Sequence, residues 1–562
     1  MVFRILAFLG KEWHSLNEAA LLLSVSALAS QILAVLRDRL LAHSFGASSS
    51  LDVYYAAFRI PDFLYVSLAS FVSVTALIPF LIEKMGNSRE GNNESRKFMN
   101  DVFTLFSAAM AISSAAVFFL IPYLSSLVAP GFSGAERADF VSLSRILLLS
   151  PFLLGISNLV GSITQAFRKF FVYALSPVFY NLGIIAGIVF FYPIWGLEGI
   201  AWGVVLGAFL HFAVQIPTLA SHRFLPSISR HVDFSAIRRV ITVSLPRTVA
   251  LSLNQLSLVA IVALASLLEE GSVSVFNFSY NLQSVPLAII GVSYSVAAFP
   301  SLVRYFSGGE HSQFISQIES AARAIIFWSL PITFLFIVLR AQIVRTLLGS
   351  GQFSWADTRL TAAMLAIFAV SLIAQNLLPL LVRGYYAAGN AARPLLAGIV
   401  SYGSTILAAF GFVALMRSFP EIRYFFESLL RVEGVPGTEA LALPLAYSLG
   451  SLLYATFLIF FLKRDFGKEF SISLSRTFFE SFSASFFMGF TAYQFLGVFD
   501  HIFDINTFWG IFFQGFLSGI FGIIVGIVVL ILLKNREFME LRAALHKKFW
   551  LTRAIAPEQQ EL

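Results

Sequence analysis

Residues 507–533 read TFWGIFFQGFLSGIFGIIVGIVVLILL, without one charged side chain. At 1.5 Å per residue a helix of this stretch is about 40 Å long, and about 20 apolar residues already cross the hydrocarbon core of a bilayer. Similar stretches recur along the chain of 562 residues, which is 58% hydrophobic and 12% charged. A soluble domain carries roughly 25% charged residues. No soluble fold buries so much apolar surface, so lipid is the main solvent. The fold class read from this is an all-α polytopic membrane protein.

About fourteen spans follow, near 17–43, 51–83, 99–127, 140–167, 171–193, 197–219, 239–267, 273–303, 317–347, 358–388, 394–416, 440–462, 473–498 and 507–533. Span two reads Ile60-Pro61 and later Val74-Thr75-Ala76-Leu77-Ile78-Pro79. Span eight reads Val285-Pro286 and later Val296-Ala297-Ala298-Phe299-Pro300. Repeats six spans apart run in the same direction, as in parallel halves related by an axis along the membrane normal. The expected organisation is an interfacial segment at 1–16, a six-span lobe at 17–219, a cytoplasmic linker at 220–238 and a second six-span lobe at 239–462. Two added spans at 463–533 and a basic cytoplasmic tail at 534–562 complete it. Phe3, Leu6 and Trp13 among Arg4 and Lys11 suit an interfacial helix. The same amphipathic pattern appears at Pro420–Gly434 and at Phe538, Leu541, Leu545 and Phe549.

Lys and Arg collect on alternate loops, among them Lys84, Arg96, Arg168, Arg223, Arg238 and Lys463, whereas the loop at Glu269-Glu270 is acidic. The positive-inside bias places both termini in the cytoplasm. The net charge of +7 belongs to this bias and to anionic lipid, not to nucleic acid. Cysteine is absent, which removes disulfides and thiolate chemistry. Gly10-Lys11 and Gly467-Lys468 are followed by Glu, so neither is a phosphate-binding loop. The eight His have no metal-ligand spacing. No enzyme, no cofactor and no metal are expected.

Charges inside spans are costly, so they normally face a cavity or a partner. Arg37 and Arg59 read as a phosphate-binding fork, with Asp52 seven residues before Arg59 on the same helix face. The competing reading anchors Arg37 and Arg39 at the interface and makes Asp52 a helix cap. In span seven, Arg247 follows Pro246 and shares a face with Asn254; the alternative is snorkelling to headgroups. In span eight, Asn277 and Asn281 share a face with Gln283 nearby, either as ligand contacts or as interhelical bonds. Arg383, Tyr385 and Tyr386 read as an interfacial anchor, and His211 as a packing residue.

The stretch Leu36-Arg37-Asp38, Phe45-Gly46-Ala47, Asp52 and Ala57-Phe58-Arg59-Ile60-Pro61-Asp62 resembles the start of the MurJ/MviN lipid II flippases. Gly271-Ser272-Val273-Ser274, Pro286 and Phe299-Pro300-Ser301-Leu302 resemble that family's eighth span. The resemblance implies a multi-pass protein of the bacterial cytoplasmic membrane. It implies alternating access that moves an undecaprenyl-pyrophosphate-linked peptidoglycan precursor, lipid II, from inner to outer leaflet. It makes Arg37 and Asp52 functional residues and the phospholipid bilayer the surroundings of a monomer. The chain departs from the family where Gln31 follows Ser30, where Tyr65 and Val66 replace an Arg pair, and where Asn281 takes the place of an arginine. Arg59 and Arg247 are the expected compensating cations. Coupling to membrane potential or to a sodium or proton gradient stays open. The rival readings are a flippase for another polyprenyl-linked glycan, a multidrug antiporter, a membrane transferase and a non-transporting scaffold.

Overall fold

The computed structural model describes residues 16–69, 71, 77, 89–166, 169–221, 224–467 and 472–550, and among these there are helices and turns but no strand. The segment Met1–His14, residues 74–76 and 78–79 of the repeat, and Lys84, Arg168, Arg223 and Lys468 lie outside the described residues. Eleven described helices are long and apolar enough to cross a bilayer, and twelve when Trp355–Val370 and Leu372–Ala387, bent by 49°, are taken as one span. Reaching the expected fourteen requires two more spans from the N-terminal helices, α1 (Leu16–Phe45), α2 (Ser49–Ala57) and α3 (Arg59–Ala69).

Span two is therefore broken at Phe58, where one helix through 51–83 was expected. Proline explains the break. Pro61 has no N–H to give to the carbonyl of Ala57. That carbonyl instead accepts from the Ser144 hydroxyl at 3.1 Å. A neighbouring helix thus satisfies the group that proline frees, as a low-dielectric surrounding requires. Pro286 acts similarly: the helix that ends there continues as a π-helical turn over Leu287–Val292.

The chain forms two compact units. The first holds Met1–Leu282, Leu347–Met364 and Pro394–Gly450. Its further helices include α4 (Arg89–Val128), α5 (Gly134–Leu147), α6 (Leu149–Ala166), α7 (Phe170–Ala186), α8 (Leu197–Ala213), α9 (Phe234–Ala265) and α10 (Ser272–Pro286). Apolar side chains gain little by leaving lipid for each other, so close backbone packing and polar contacts hold such helices together. Gly183 of α7 and Gly187, at the π-helical turn that follows it, face Gly207 and Gly203 of α8; a Cβ at Gly183 would strike the Gly207 backbone, and one at Gly203 would strike Gly187. This seam fixes α7, which in turn packs on α1 and carries Tyr180 and Asn181.

The second unit holds Gln283–Thr346, Leu365–Arg393 and Ser451–Leu562. Its core pairs Ile472–Asp500 with Phe508–Leu532 and with His311–Val338. Two surface readings are corrected here. Tyr385 is fully buried, with its hydroxyl 3.3 Å from Asp465 and its ring against Phe466. It is a packing residue, not an anchor. Phe538 of the basic tail helix packs against the cluster of Phe327, Ala484 and Leu530, so that position faces protein. In the helix Pro420–Leu430 of the first unit, Phe425 and Leu429 are exposed, and the polar Glu427 turns inward to Thr438.

Candidate functional site

Two loops meet around Asp52. Its carboxylate accepts from the Gly271 N–H at 2.8 Å, the Ser274 N–H at 2.7 Å and the Ser274 hydroxyl at 2.5 Å. These are N–H groups that open α10 and lack partners within the helix. Glu270 returns the contact, accepting from Ser49 N–H at the start of α2 at 2.8 Å. The start of α10 thus receives a carboxylate from the first turn of α2, and the start of α2 receives one from the loop before α10, in the sense the helix dipole favours. Gly271 is required there: its φ is +85°, and a Cβ would sit 2.6 Å from the Ala47 carbonyl oxygen.

The clamp sets α2, α3 and α10 beside α1 and leaves a cavity of about 350 Å³ in the first unit, at the small end of the ~300–1,000 Å³ typical of small-molecule sites. Arg37, Arg59, Asp62, Asn254, Asn277 and Asn281 line it, with Tyr54, Tyr55, Tyr180 and Tyr280. Arg37 donates to Asp38 through Nε at 3.0 Å and Nη2 at 2.8 Å, and to Asn181 at 3.4 Å. Asp38 also accepts from the Asn281 amide at 3.0 Å. Arg59 donates to Asn277 Oδ1. The Asn277 nitrogen donates to the Val273 carbonyl at 2.7 Å, which fixes that amide with its oxygen toward the arginine. Arg59 Nε is buried with no partner among the described residues.

Five of the seven residues singled out from the sequence therefore share one cavity: Arg37, Arg59, Asn254, Asn277 and Asn281. Asp52 does not line it and serves as a cap between helices. Arg247 is half-buried on α9 and is not among the lining residues either, so the cation expected there falls away from the cavity wall. Asn181 was not singled out from the sequence, and Asp38 and Asp62 stood out only within the motif around Arg37 and Arg59, not as site residues. For Asp38 the signal was its place between Arg37 and Arg39; for Asn181 and Asp62, polar groups within otherwise apolar runs. His211 is held in packing, as expected, by the Ser157 hydroxyl at 2.7 Å. Beside Gln31, which stands where the resembling family has a cation, Ser30 accepts from Asn181 at 3.1 Å, and Tyr65, at another such position, accepts from Asn158 at 2.6 Å.

A larger cavity of about 680 Å³ lies near Leu267–Glu269 and Val435–Glu439. Its arginines are tied to carboxylates: Arg417 to Glu439 at 2.7 Å, Arg423 to Glu427 at 3.3 Å. Both arginines there already face a carboxylate, although Arg423 Nε, like Arg59 Nε, has no hydrogen-bond partner among the described residues. The smaller cavity has a guanidinium with an unused N–H. A phosphate oxygen about 4 Å from such a charge gains about 4 kcal/mol at an effective dielectric near 20. Flanking amides replace part of its hydration. Among the described residues no cluster of His, Asp and Glu could hold a metal ion.

The family profile described as lipid II flippase MurJ matches residues 41–514. The chain is 27% identical to the lipid II flippase MurJ of Burkholderia cenocepacia over 72% of its length and 79% of that protein's. Among solved structures it resembles lipid II flippase MurJ in an inward closed conformation, with a TM-score of 0.71 and 21% identity over 93% of this chain and all of that one. It also resembles an inward-facing multidrug-resistance transporter of the MATE family, with a TM-score of 0.62 and 14% identity over 78% of this chain and 94% of that one.

Proposed function

The chain belongs to the lipid II flippase MurJ family, and from that premise we propose that it carries the pyrophosphate headgroup of lipid II across the bilayer through the cavity between Arg37 and Arg59. The obstacle to flipping is desolvation. A charged headgroup cannot enter hydrocarbon without a large penalty, while its polyprenyl tail is at home there. The cavity supplies guanidinium and amide groups in place of water, and the tail stays in lipid. Opening to one face at a time then moves the headgroup without exposing it to the membrane interior.

The observation that carries this reading is that the buried Arg59 and the half-buried Arg37 share one cavity of about 350 Å³ with three asparagines. The lobes at 17–219 and 239–462 and cytoplasmic termini belong to this proposal, as do a monomeric state, a bacterial cytoplasmic membrane location and the absence of catalysis. Membrane potential favours transfer of charge by about 2.3 kcal/mol per unit charge per 100 mV.

Depletion of the protein in cells, followed by measurement of lipid II in the inner leaflet, tests the headgroup. Accumulation of lipid II there is the expected result. Unchanged lipid II with accumulation of a different polyprenyl-linked glycan would transfer the reading to that glycan.

A further inference from the structure

The cavity holds a carboxylate that binding of an anion does not explain. Asp62 lies on α3, three residues after Arg59, and lines the same wall. Its side chain makes no hydrogen bond and no ion pair to any described residue. Such a group in a membrane span normally has a partner or a function.

The charge count shows the difficulty. Arg37 is neutralised by its contact with Asp38. Arg59 is then the remaining cation, and Asp62 is a second anion in its field. With both aspartates ionised the four groups sum to zero, so a pyrophosphate would meet no net attraction. Other titratable groups facing the cavity are phenols: Tyr54 and Tyr55 on α2, Tyr180 on α7 and Tyr280 on α10. Tyr65 on α3 is bound to Asn158 of α6. From α9 come Asn254 and Gln255, and α4 and α5 contribute no charged group to the lining. Among the described residues no other carboxylate and no histidine lines the wall beside Asp62.

We propose that Asp62 is the proton site of this cavity: it takes a proton from water when the pyrophosphate enters and returns it to water when the pyrophosphate leaves. Protonation leaves Arg59 unopposed and gives the four groups a net charge of +1. The arriving anion itself favours this step, because like charges a few ångströms apart in a cavity raise each other's proton affinity. Flipping then moves one proton with each headgroup. The inference rests on the cavity being the pyrophosphate site.

The test is calorimetric titration of the purified full-length chain with lipid II in buffers of different ionisation enthalpy, which counts protons taken up. Wild-type protein is expected to take up about one proton per lipid II, with affinity rising up to about tenfold per unit fall in pH. Asp62→Asn is expected to take up none and to bind with little pH dependence. Equal uptake by both proteins overturns the inference, as does no uptake by wild type or a dependence on sodium in place of protons. Should Asp62→Asn fold poorly in a thermal melt, the wild-type proton count alone decides. Undecaprenyl pyrophosphate is titrated in parallel: Asp62-dependent uptake with that lipid but no binding of lipid II would sink the headgroup reading and keep the proton site.

Discussion

The Asp52 carboxylate grips Ser274 twice, through the backbone N–H at 2.7 Å and the hydroxyl at 2.5 Å, across a sequence separation of 222 residues. It reaches Gly271 with its other oxygen. This contact locks the helix carrying Arg59's neighbours to the helix carrying Asn277 and Asn281. Asp52 thus braces helices that line the cavity without lining it itself.

Removing that carboxylate should therefore act through stability. Asp52→Ala leaves N–H groups of α10 and the Ser274 hydroxyl unsatisfied; each buried group left so costs about 1–3 kcal/mol. A lower thermal midpoint in detergent is expected, with lipid II affinity retained by the fraction that remains folded. Unchanged stability with lost affinity would make Asp52 a ligand contact.

Gly271 offers an independent check of the same clamp. Gly271→Ala must hold an L-residue at φ +85° and push a methyl group against Ala47. Strain of this kind costs about 1–3 kcal/mol. A destabilisation similar to that of Asp52→Ala, measured in the same melts, is the predicted outcome.

Asn281 stands where the resembling family has an arginine, and its amide points at Asp38. Asn281→Arg should form an ion pair with Asp38 and release Arg37 toward the cavity. Lipid II affinity equal to or above wild type is expected from titration. Asn281→Leu cannot donate to Asp38 and should weaken binding by roughly tenfold, the loss of about 1.4 kcal/mol.

The larger cavity supplies a control. Arg417 and Arg423 are engaged with Glu427 and Glu439, so the double substitution Arg417→Ala/Arg423→Ala should leave flipping within about twofold of wild type. Exposed pairs of this kind are worth only about 0–1 kcal/mol each.

Much of this was legible in the sequence because a bilayer demands long apolar runs, and residues 507–533 announce one directly. Spacing also put Asn277 and Asn281 on one face, which is where the cavity finds them. Legibility ended at contacts between distant segments. Nothing near Asp52 reveals that its partners are Gly271 and Ser274, since the bond answers to the fold, not to a local period. Pro61 signalled a break, but not that Ser144 would repair it. Arg247 was expected beside Arg59 as a compensating cation, but Arg59 lines the cavity and Arg247 is not among its lining residues.

The central claim is that Arg37 and Arg59 stand in for water around a travelling pyrophosphate. Its most direct test is transfer of fluorescent lipid II in proteoliposomes by wild type, Arg37→Ala and Arg59→Ala, all at matched incorporation. Each charged contact removed should slow transfer by at least about 30-fold, or about 2 kcal/mol, with Arg59→Ala the more severe because its guanidinium keeps an unused N–H. Transfer at the wild-type rate by both variants would contradict the account.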